Sequence, residues 1–285
     1  VDIGVGLPTT VPDVTRDRLL TWAREADGYG FSTLGVLDRL VYDNHESLVS
    51  LAAAAAVTER IRLATTILIA PYRPGTALLA KQLASLDELS CGRLVVGLAA
   101  GGRDDDYRAT GAAYGDRGRR LDALAVALRE IWAGGGPVPG IGPRPGSGGP
   151  RLLFGGHSPA AMRRAARHGE GWIAGGSSAA GFGELARRAG EIWTAEGRTG
   201  RPRTVALLYA CLGPDARATA ERYLRAYYAF IGPKAEMAAR AVITDERELK
   251  DTIGRYAAEG CDELLVFPCT ADPGQLDHLA RAALG

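Results

Sequence analysis

The chain has 285 residues, of which 46% are hydrophobic and 24% charged, and its net charge at pH 7 is +1. This balance is ordinary for a globular enzyme and leaves no electrostatic footprint for nucleic acid or an anionic membrane surface. No apolar run approaches the roughly 18 residues of a membrane span. Four cysteines without a CxxC pair, beside four histidines without ligand spacing, spell neither a disulfide framework nor a metal motif.

The opening stretch VDIGVGLP reads as a strand over about 2–7, stopped by Pro8. It has no basic leader or signal-peptide core, so a cytoplasmic protein is expected. Helix one, capped by Thr15 or Asp17, turns Leu19, Leu20, Trp22, Ala23 and Ala26 inward and stops at Gly28 and Gly30. Strand two, at about 32–37, delivers Asp38-Arg39 at its end, and a helix with the tract AAAAA follows at about 46–59. Residues 61–69 are aliphatic and β-branched, the pattern of a strand buried on both faces, and Pro71 and Pro74 end it. Leu78, Leu79, Leu83, Leu86 and Leu89 then recur near the helical period up to Cys91-Gly92. Strand four runs over about 94–99 and leads into Gly101-Gly102.

The pattern loosens over 103–112, and an amphipathic helix occupies about 116–133. The stretch GGGPVPGIGPRPGSGGP at 134–150 has a linker's composition but is read as a surface loop, because the same rhythm resumes beyond it. Strand five is Leu152-Leu153-Phe154, helix five about 159–168, strand six Trp172-Ile173-Ala174 and helix six about 182–196. Strand seven covers 204–212, a long helical region with one or two breaks fills 215–259, strand eight is 264–267, and a helix over 274–284 closes the chain. Eight strands alternating with helices predict an α/β fold, a (β/α)8 barrel of the TIM type, as a single domain over 1–285 with an insertion after strand four. An open doubly wound sheet is the alternative.

Ligands of such a barrel bind at the C-terminal ends of its strands. Those ends carry Asp38-Arg39, Ile69, Gly101-Gly102-Arg103, Gly155-Gly156-His157-Ser158, Gly175-Gly176-Ser177-Ser178, Cys211 and Cys269. Two Gly-Gly turns followed by serine, each before a helix, can hold a phosphate between them; tight turns alone would need the same glycines. Asp38-Arg39 is either an internal ion pair or part of the chemistry. His45 is either a general acid or base, or a helix-start residue. His168 and His278 fall in helix patterns and are expected to face solvent, and Cys211 and Cys269 lack a base that would make either a nucleophile. Tyr223, Tyr227, Tyr228 and Phe230 lie at helical spacing after strand seven, as packing, as a pocket wall or as a subunit contact.

The chain resembles the luciferase-like superfamily of flavin- and deazaflavin-dependent barrel enzymes. The resemblance is carried by FSTLGVLDRL at 31–40, the stretch 62–102, RGRRLDALAVALREIW at 117–132, LLFGGHSPAAMRRAARHGEGWI at 152–173 and DELLVF at 262–267. It implies a cofactor in the barrel mouth, either coenzyme F420 or FMN, with its phosphate among the ends of strands four, five and six. The matching residues are Gly101, Gly102, Arg103, Gly155, Gly156, His157, Ser158, Gly175, Gly176 and Ser177. It also implies a non-proline cis peptide at Thr66–Ile67, a bulge that with Ile69 backs the ring, and a homodimer packed through the early helices. Deazaflavin enzymes that oxidise alcohols or sugars typically end strand two in Asp-His and place a Glu after strand four; Asp38-Arg39 and Gly102 stand there instead. The short chain and the Gly-Gly-x-Ser-Pro turn look more like the deazaflavin branch.

Three functions are compatible with these residues. The first is F420-dependent hydride transfer to a small organic substrate, with Asp38 on the polar edge of the ring and Arg39 or His45 polarising or protonating substrate. The second is a reduced-FMN-dependent monooxygenase acting on paired donors with molecular oxygen, supplied by a separate flavin or deazaflavin reductase. The third is a barrel that binds flavin without turnover.

Overall fold

In the computed structural model, which describes residues 1–146 and 148–285, strands and helices alternate along the whole chain. The strands are β1 (Asp2–Gly6), β2 (Thr33–Val36), β3 (Arg62–Ile69), β4 (Leu94–Ala99), β5 (Arg151–Gly155), β6 (Gly171–Ile173), β7 (Arg203–Ala210) and β8 (Glu263–Pro268). They pair in sequence order, all parallel, and β8 pairs with β1, so the sheet is a closed barrel. Closure leaves no strand edge unpaired and removes the open-sheet alternative. Ser147, in the loop over 134–150, lies outside the described residues.

The helices are α1 (Arg16–Tyr29), α2 (Ser47–Ala55), α3 (Thr76–Leu89), α4 (Asp104–Thr110), α5 (Arg117–Trp132), α6 (Pro159–His168), α7 (Ala179–Ala195), α8 (Ala216–Tyr227), α9 (Lys234–Arg240), α10 (Glu246–Ala258) and α11 (Gly274–Leu284). Their apolar stripes pack on the outer face of the strands: Trp22, Ala23 and Ala26 of α1 and Leu83 of α3 have no accessible surface. Thr15 caps α1, accepting from the Arg18 N–H at 3.3 Å, and Gly30 closes it at φ 86°. α2 is shorter than its pattern: the Glu46 carboxylate caps it through the Val49 N–H, and the Thr58 hydroxyl takes the Ala54 carbonyl beyond its end.

Two of the connections that leave the C-terminal ends of the strands are long. Residues 100–150 hold α4, α5 and the glycine-rich loop, and residues 211–262 hold α8, α9 and α10 with a 3-10 turn at Ala229–Ile231. The second is broken twice, within what the pattern predicted: Gly232 at φ 60° separates the 3-10 turn from α9, and Asp245 caps a fresh start for α10.

The N-terminal face is closed by charge. Glu263, whose side chain is 7% exposed, accepts from Ser32 Oγ, Thr33 Oγ1, Arg62 Nη2 and Arg203 Nη2. Burial disfavours its charged form, but these donors outweigh that and hold the carboxyl below its ordinary range. Among the described residues no helix is long and apolar enough to cross a membrane.

Candidate active site

A cavity of ≈ 400 Å³ opens at the C-terminal ends of the strands. Leu37 and Asp38 after β2, Thr66, Ile67 and Ile69 of β3, and Gly156 and His157 after β5 form one side. Ile173 of β6, Ala174, Gly175 and Gly176 after it, Leu207 and Tyr209 of β7, and Tyr227 and Tyr228 at the end of α8 form the other. The wall is mostly apolar with a few convergent polar groups, the usual make-up of a small-molecule site.

Its floor is made by an irregularity in β3. The Thr66–Ile67 peptide is cis, as the resemblance implied, and the pairing of β3 with β4 shifts register between Thr65 and Leu68. The bulge turns Ile67 into the cavity over Gly155, where a Cβ would come within 3.0 Å of the Ile67 side chain. Gly155 is thus favoured by close approach of a side chain rather than by its own backbone angles.

Asp38 fixes the end of that bulge. Its Oδ2 accepts from the Ile69 N–H and the Tyr72 hydroxyl, both at 2.8 Å, and its Oδ1 from Arg73 Nη2 at 2.8 Å and Ser47 Oγ at 3.1 Å. The side chain is 2% exposed. Its ion-pair partner is therefore Arg73, not the adjacent Arg39, and Arg73 also reaches Glu46 at 2.9 Å. Burial and then the neighbouring Asp38 push the Tyr72 hydroxyl far up. Burial pulls the Arg73 guanidinium down, and the charges of Asp38, Tyr72 and Glu46 more than restore it. A carboxylate committed to four donors orients a wall; it is not free to exchange a proton with a ligand.

The two Gly-Gly turns face each other. His157 Nε2 accepts from the Gly175 N–H at 3.1 Å, which links the turn after β5 to the turn after β6. Its ring is set partly into the cavity wall, and that burial pulls its pKa down. Ser158 and Ser178 use their hydroxyls as helix caps, accepting from Ala161 N and Gly181 N at 3.2 Å. Ser177 differs: its hydroxyl is buried and has no hydrogen-bond partner. A Cβ at Gly176 would meet nothing within 4 Å, so the backbone there is open to a ligand. Ser177 itself lies behind the cavity lining, next to Gly176, and an unpartnered hydroxyl beside an open glycine turn at the start of α7 offers donors of the kind a phosphate takes. The apolar wall of Ile67, Ile173 and Leu207 beside it suits a flat ring, so these residues fit a phosphate-bearing flavin or deazaflavin.

Several residues singled out from the pattern lie elsewhere. His45 is exposed, with Nε2 at 3.4 Å from the Val14 carbonyl, and does not line the cavity. The loop between Asp38 and α2 carries it outward. Arg39 is not in the cavity lining; it lies behind Tyr227 and covers Tyr42, with its Cζ 4.4 Å from the Tyr42 ring centroid. Gly101 and Gly102 are outside the cavity lining; the Gly101 carbonyl accepts from Arg117 Nε at 3.1 Å. Arg103 pairs with Asp105 and Asp106 at the start of α4. His168 is half-buried against Phe154, and His278 is half-buried and bonded to Glu246 at 2.9 Å, so neither simply faces solvent. Cys211 and Cys269 are buried, and burial pushes the Cys211 thiol up to about 11 and holds Cys269 well above its ordinary value, the opposite of an activated nucleophile. Among the described residues no group of three or more His, Cys, Asp and Glu is placed to hold a metal ion.

Pattern reading missed Tyr72, Arg73, Leu207 and Tyr209. The YRPG turn directly after β3 was a signal for the first two. Tyr209 lies inside a strand and reaches the Tyr228 hydroxyl at 3.1 Å, while Tyr223 bonds Thr10 at 2.6 Å. Tyr209, Tyr223, Tyr227 and Tyr228 form a continuous aromatic cluster at the mouth.

A family model described as luciferase-like monooxygenase matches residues 2–266. An uncharacterized protein of Mycobacterium tuberculosis (strain ATCC 25618 / H37Rv) is 34% identical over 164 residues, 54% of this chain and 56% of that protein. An FMNH(2)-dependent dimethylsulfone monooxygenase of Pseudomonas putida is 32% identical over 126 residues, 42% of this chain and 34% of that one. The matched segments thus span little more than half of these curated relatives, or less. The solved structure of an F420-dependent secondary alcohol dehydrogenase in complex with an F420-acetone adduct superposes with a TM-score of 0.81 at 17% identity, covering 99% of this chain and 98% of that one. At that identity the likeness shows a common fold.

Proposed function

Because the chain belongs to the luciferase-like monooxygenase family, we propose that it is an oxidoreductase that uses reduced coenzyme F420 for hydride transfer to a small organic substrate. The observation that carries a phosphate-bearing cofactor is the buried, unpartnered Ser177 hydroxyl beside the open Gly176 turn. Support for F420 over FMN comes from the Gly-Gly-His-Ser-Pro turn at 155–159 and from the exposed rim at Gly176. An oxygen-activating site has to exclude water more completely.

When bound, the reduced cofactor supplies the hydride. Ser177, the Gly175-Gly176 turn and His157 would hold its phosphate, and Ile67, Ile69 and Gly155 would lie against its ring. Asp38 keeps the bulge in place through Ile69 rather than meeting the ring itself. The proton that accompanies hydride transfer has to come from a cavity-lining group that is not already committed. Tyr228 meets that condition when it accepts from the Tyr209 hydroxyl, because its own O–H is then left to point at the substrate. Burial raises both hydroxyls, so both stay protonated at neutral pH and act as acids only toward a strongly basic substrate atom. The substrate lies in the space between Ile67 and the tyrosine cluster. The reading carries with it a homodimer through α2 and α3, whose Val49, Leu78 and Leu89 are large and exposed.

Titration of the pure chain with reduced F420 and with FMN, followed by fluorescence, tests the cofactor. Binding of F420 without FMN is the expected result, and binding of neither defeats the proposal. A Tyr228→Phe variant should bind F420 as the parent does and lose turnover by about 10²-fold or more. A second reading, a reduced-FMN-dependent monooxygenase, is favoured by the likeness to the Pseudomonas enzyme. It requires oxygen uptake with FMN, a reductase and substrate, which the first reading does not produce.

A further inference from the structure

We propose that Arg39 and Arg103 form an anion-binding subsite beside the cavity, for a carboxylate or phosphate carried by the substrate or by the tail of the cofactor. The proposal depends on the cofactor reading only for the source of that anion.

The two guanidiniums meet on one phenyl ring: Arg39 Cζ lies 5.2 Å and Arg103 Cζ 4.2 Å from the centroid of Phe230. Both side chains are held in place. Arg39 donates to the Tyr227 carbonyl at 2.8 Å and the Val41 carbonyl at 3.2 Å, and its Cζ is 5.1 Å from the Tyr227 ring. Tyr227 also lines the cavity, so one residue joins the arginine pair to the ligand space. Yet Arg39 Nε, Arg103 Nε and Arg103 Nη1 are buried with no hydrogen-bond partner. Three orphan donors on two adjacent cations need an explanation, because a buried N–H without an acceptor is costly and most find one.

The nearby carboxylates do not supply the missing acceptors. Asp106 Oδ1 is taken by the backbone N–H groups of Leu40 and Val41, at 3.2 and 2.7 Å, and its Oδ2 stands 3.5 Å from Arg103 Nε, out of hydrogen-bond alignment. Asp105 accepts from the Asp106 N–H and from Arg103 Nη2. Among the described residues no carboxylate lies within 4.0 Å of a nitrogen of Arg39. Burial and the adjacent Arg103 both work against the charge on Arg39. The two aspartates offset the two arginines formally, so the subsite draws an anion by directed donors, in the fork geometry that guanidinium shares with carboxylate and phosphate, rather than by a broad field.

Phe230 is the cover. It is 47% exposed, sits in the short turn Ala229–Ile231, and is followed by Gly232 at φ 60°, so it can swing away without disturbing α8 or the barrel. Its ring lies over both guanidiniums, so its movement is what would open them to a ligand.

The test uses the full chain without cofactor first. Inorganic phosphate and benzoate are titrated by calorimetry, with benzamide as the neutral control, against the parent, Arg39→Gln, Arg103→Gln and Phe230→Ala. Both anions should bind the parent, benzamide at least tenfold more weakly. Each glutamine variant should lose tenfold or more in anion affinity, and Phe230→Ala should bind anions at least as tightly as the parent. Should the glutamine variants fail to fold, Arg39→Lys and Arg103→Lys keep the charge and lose the fork, and a severalfold loss for benzoate is expected. Benzoate that still binds the F420-loaded chain assigns the subsite to substrate; benzoate displaced by loading assigns it to the cofactor tail. Equal binding of benzoate and benzamide, or anion affinity unchanged in the arginine variants, overturns the proposal. If the parent binds anions at the arginines but neither F420 nor FMN, the cofactor reading fails while this subsite stands.

Discussion

The Ile69 N–H donates to Asp38 Oδ2 at 2.8 Å, so the end of β2 holds the end of β3 two residues beyond the bulge at Ile67. The same carboxylate draws in Tyr72, Arg73 and Ser47. One buried charge thus fixes three connections around the floor of the cavity. Replacing Asp38 with Ala leaves Arg73 with only the more exposed Glu46 and should cost about 3–5 kcal/mol, the usual result of breaking a buried ion pair from one side. Urea unfolding measures it, and Asp38→Asn, which keeps an acceptor, should cost less. A stability unchanged in Asp38→Ala would mean that the four contacts are incidental.

Ser177 should behave in the opposite way. Its hydroxyl is buried without a partner, so Ser177→Ala removes no bond from the free protein. Unfolding should shift by less than about 0.5 kcal/mol, as for other substitutions away from structural contacts. Affinity for a phosphorylated flavin or deazaflavin should fall roughly tenfold or more, the worth of one hydrogen bond to a charged group. The deazaflavin chromophore with its ribityl chain but without the phosphate is the control and should bind parent and variant alike.

His157 gives a pH dependence of stability. Burial holds its folded-state pKa below the ordinary 6.5, and its Nε2 must stay unprotonated to accept from Gly175. The unfolded chain therefore takes up the proton first as pH falls. The contribution is complete above about 6.5 and is lost as pH drops through the lowered folded value. Melting curves between pH 5 and 7.5 should show the parent losing more stability toward acid than His157→Gln. His168, also lowered by burial, contributes in the same direction and remains in the variant as a common background.

Glu263 separates stability from function. It lies at the N-terminal face, bonded to Ser32, Thr33, Arg62 and Arg203, remote from the cavity mouth. Glu263→Ala should destabilise the barrel by about 3–5 kcal/mol by leaving two arginines without their buried partner. Cofactor affinity measured well below the melting temperature should stay within twofold of the parent. A parallel loss of affinity would show that the two faces are coupled through the barrel interior.

The alternation of short aliphatic strands with amphipathic helices was enough to specify a (β/α)8 barrel, because each strand needs both faces covered and each helix needs one. It was also enough to place Asp38, Ile67, Gly156, His157, Gly175 and Gly176 at one end of the barrel, since parallel strands in a barrel all end on the same face. What the alternation could not decide was direction and partnership. Whether a residue at a strand end points inward, outward or around the rim depends on strand tilt and on the loop that follows, which is why Arg39 and His45 left the cavity. Tyr209 sits within a run of buried and half-buried residues, and only closure of the ring decides which of them face the interior. The pairing of Asp38 with Arg73, and of Arg39 with Arg103 across Phe230, joins residues that are tens to nearly two hundred positions apart. Only the tertiary structure brings such groups within hydrogen-bond or ring-contact distance, and it alone shows which buried donors are left without an acceptor.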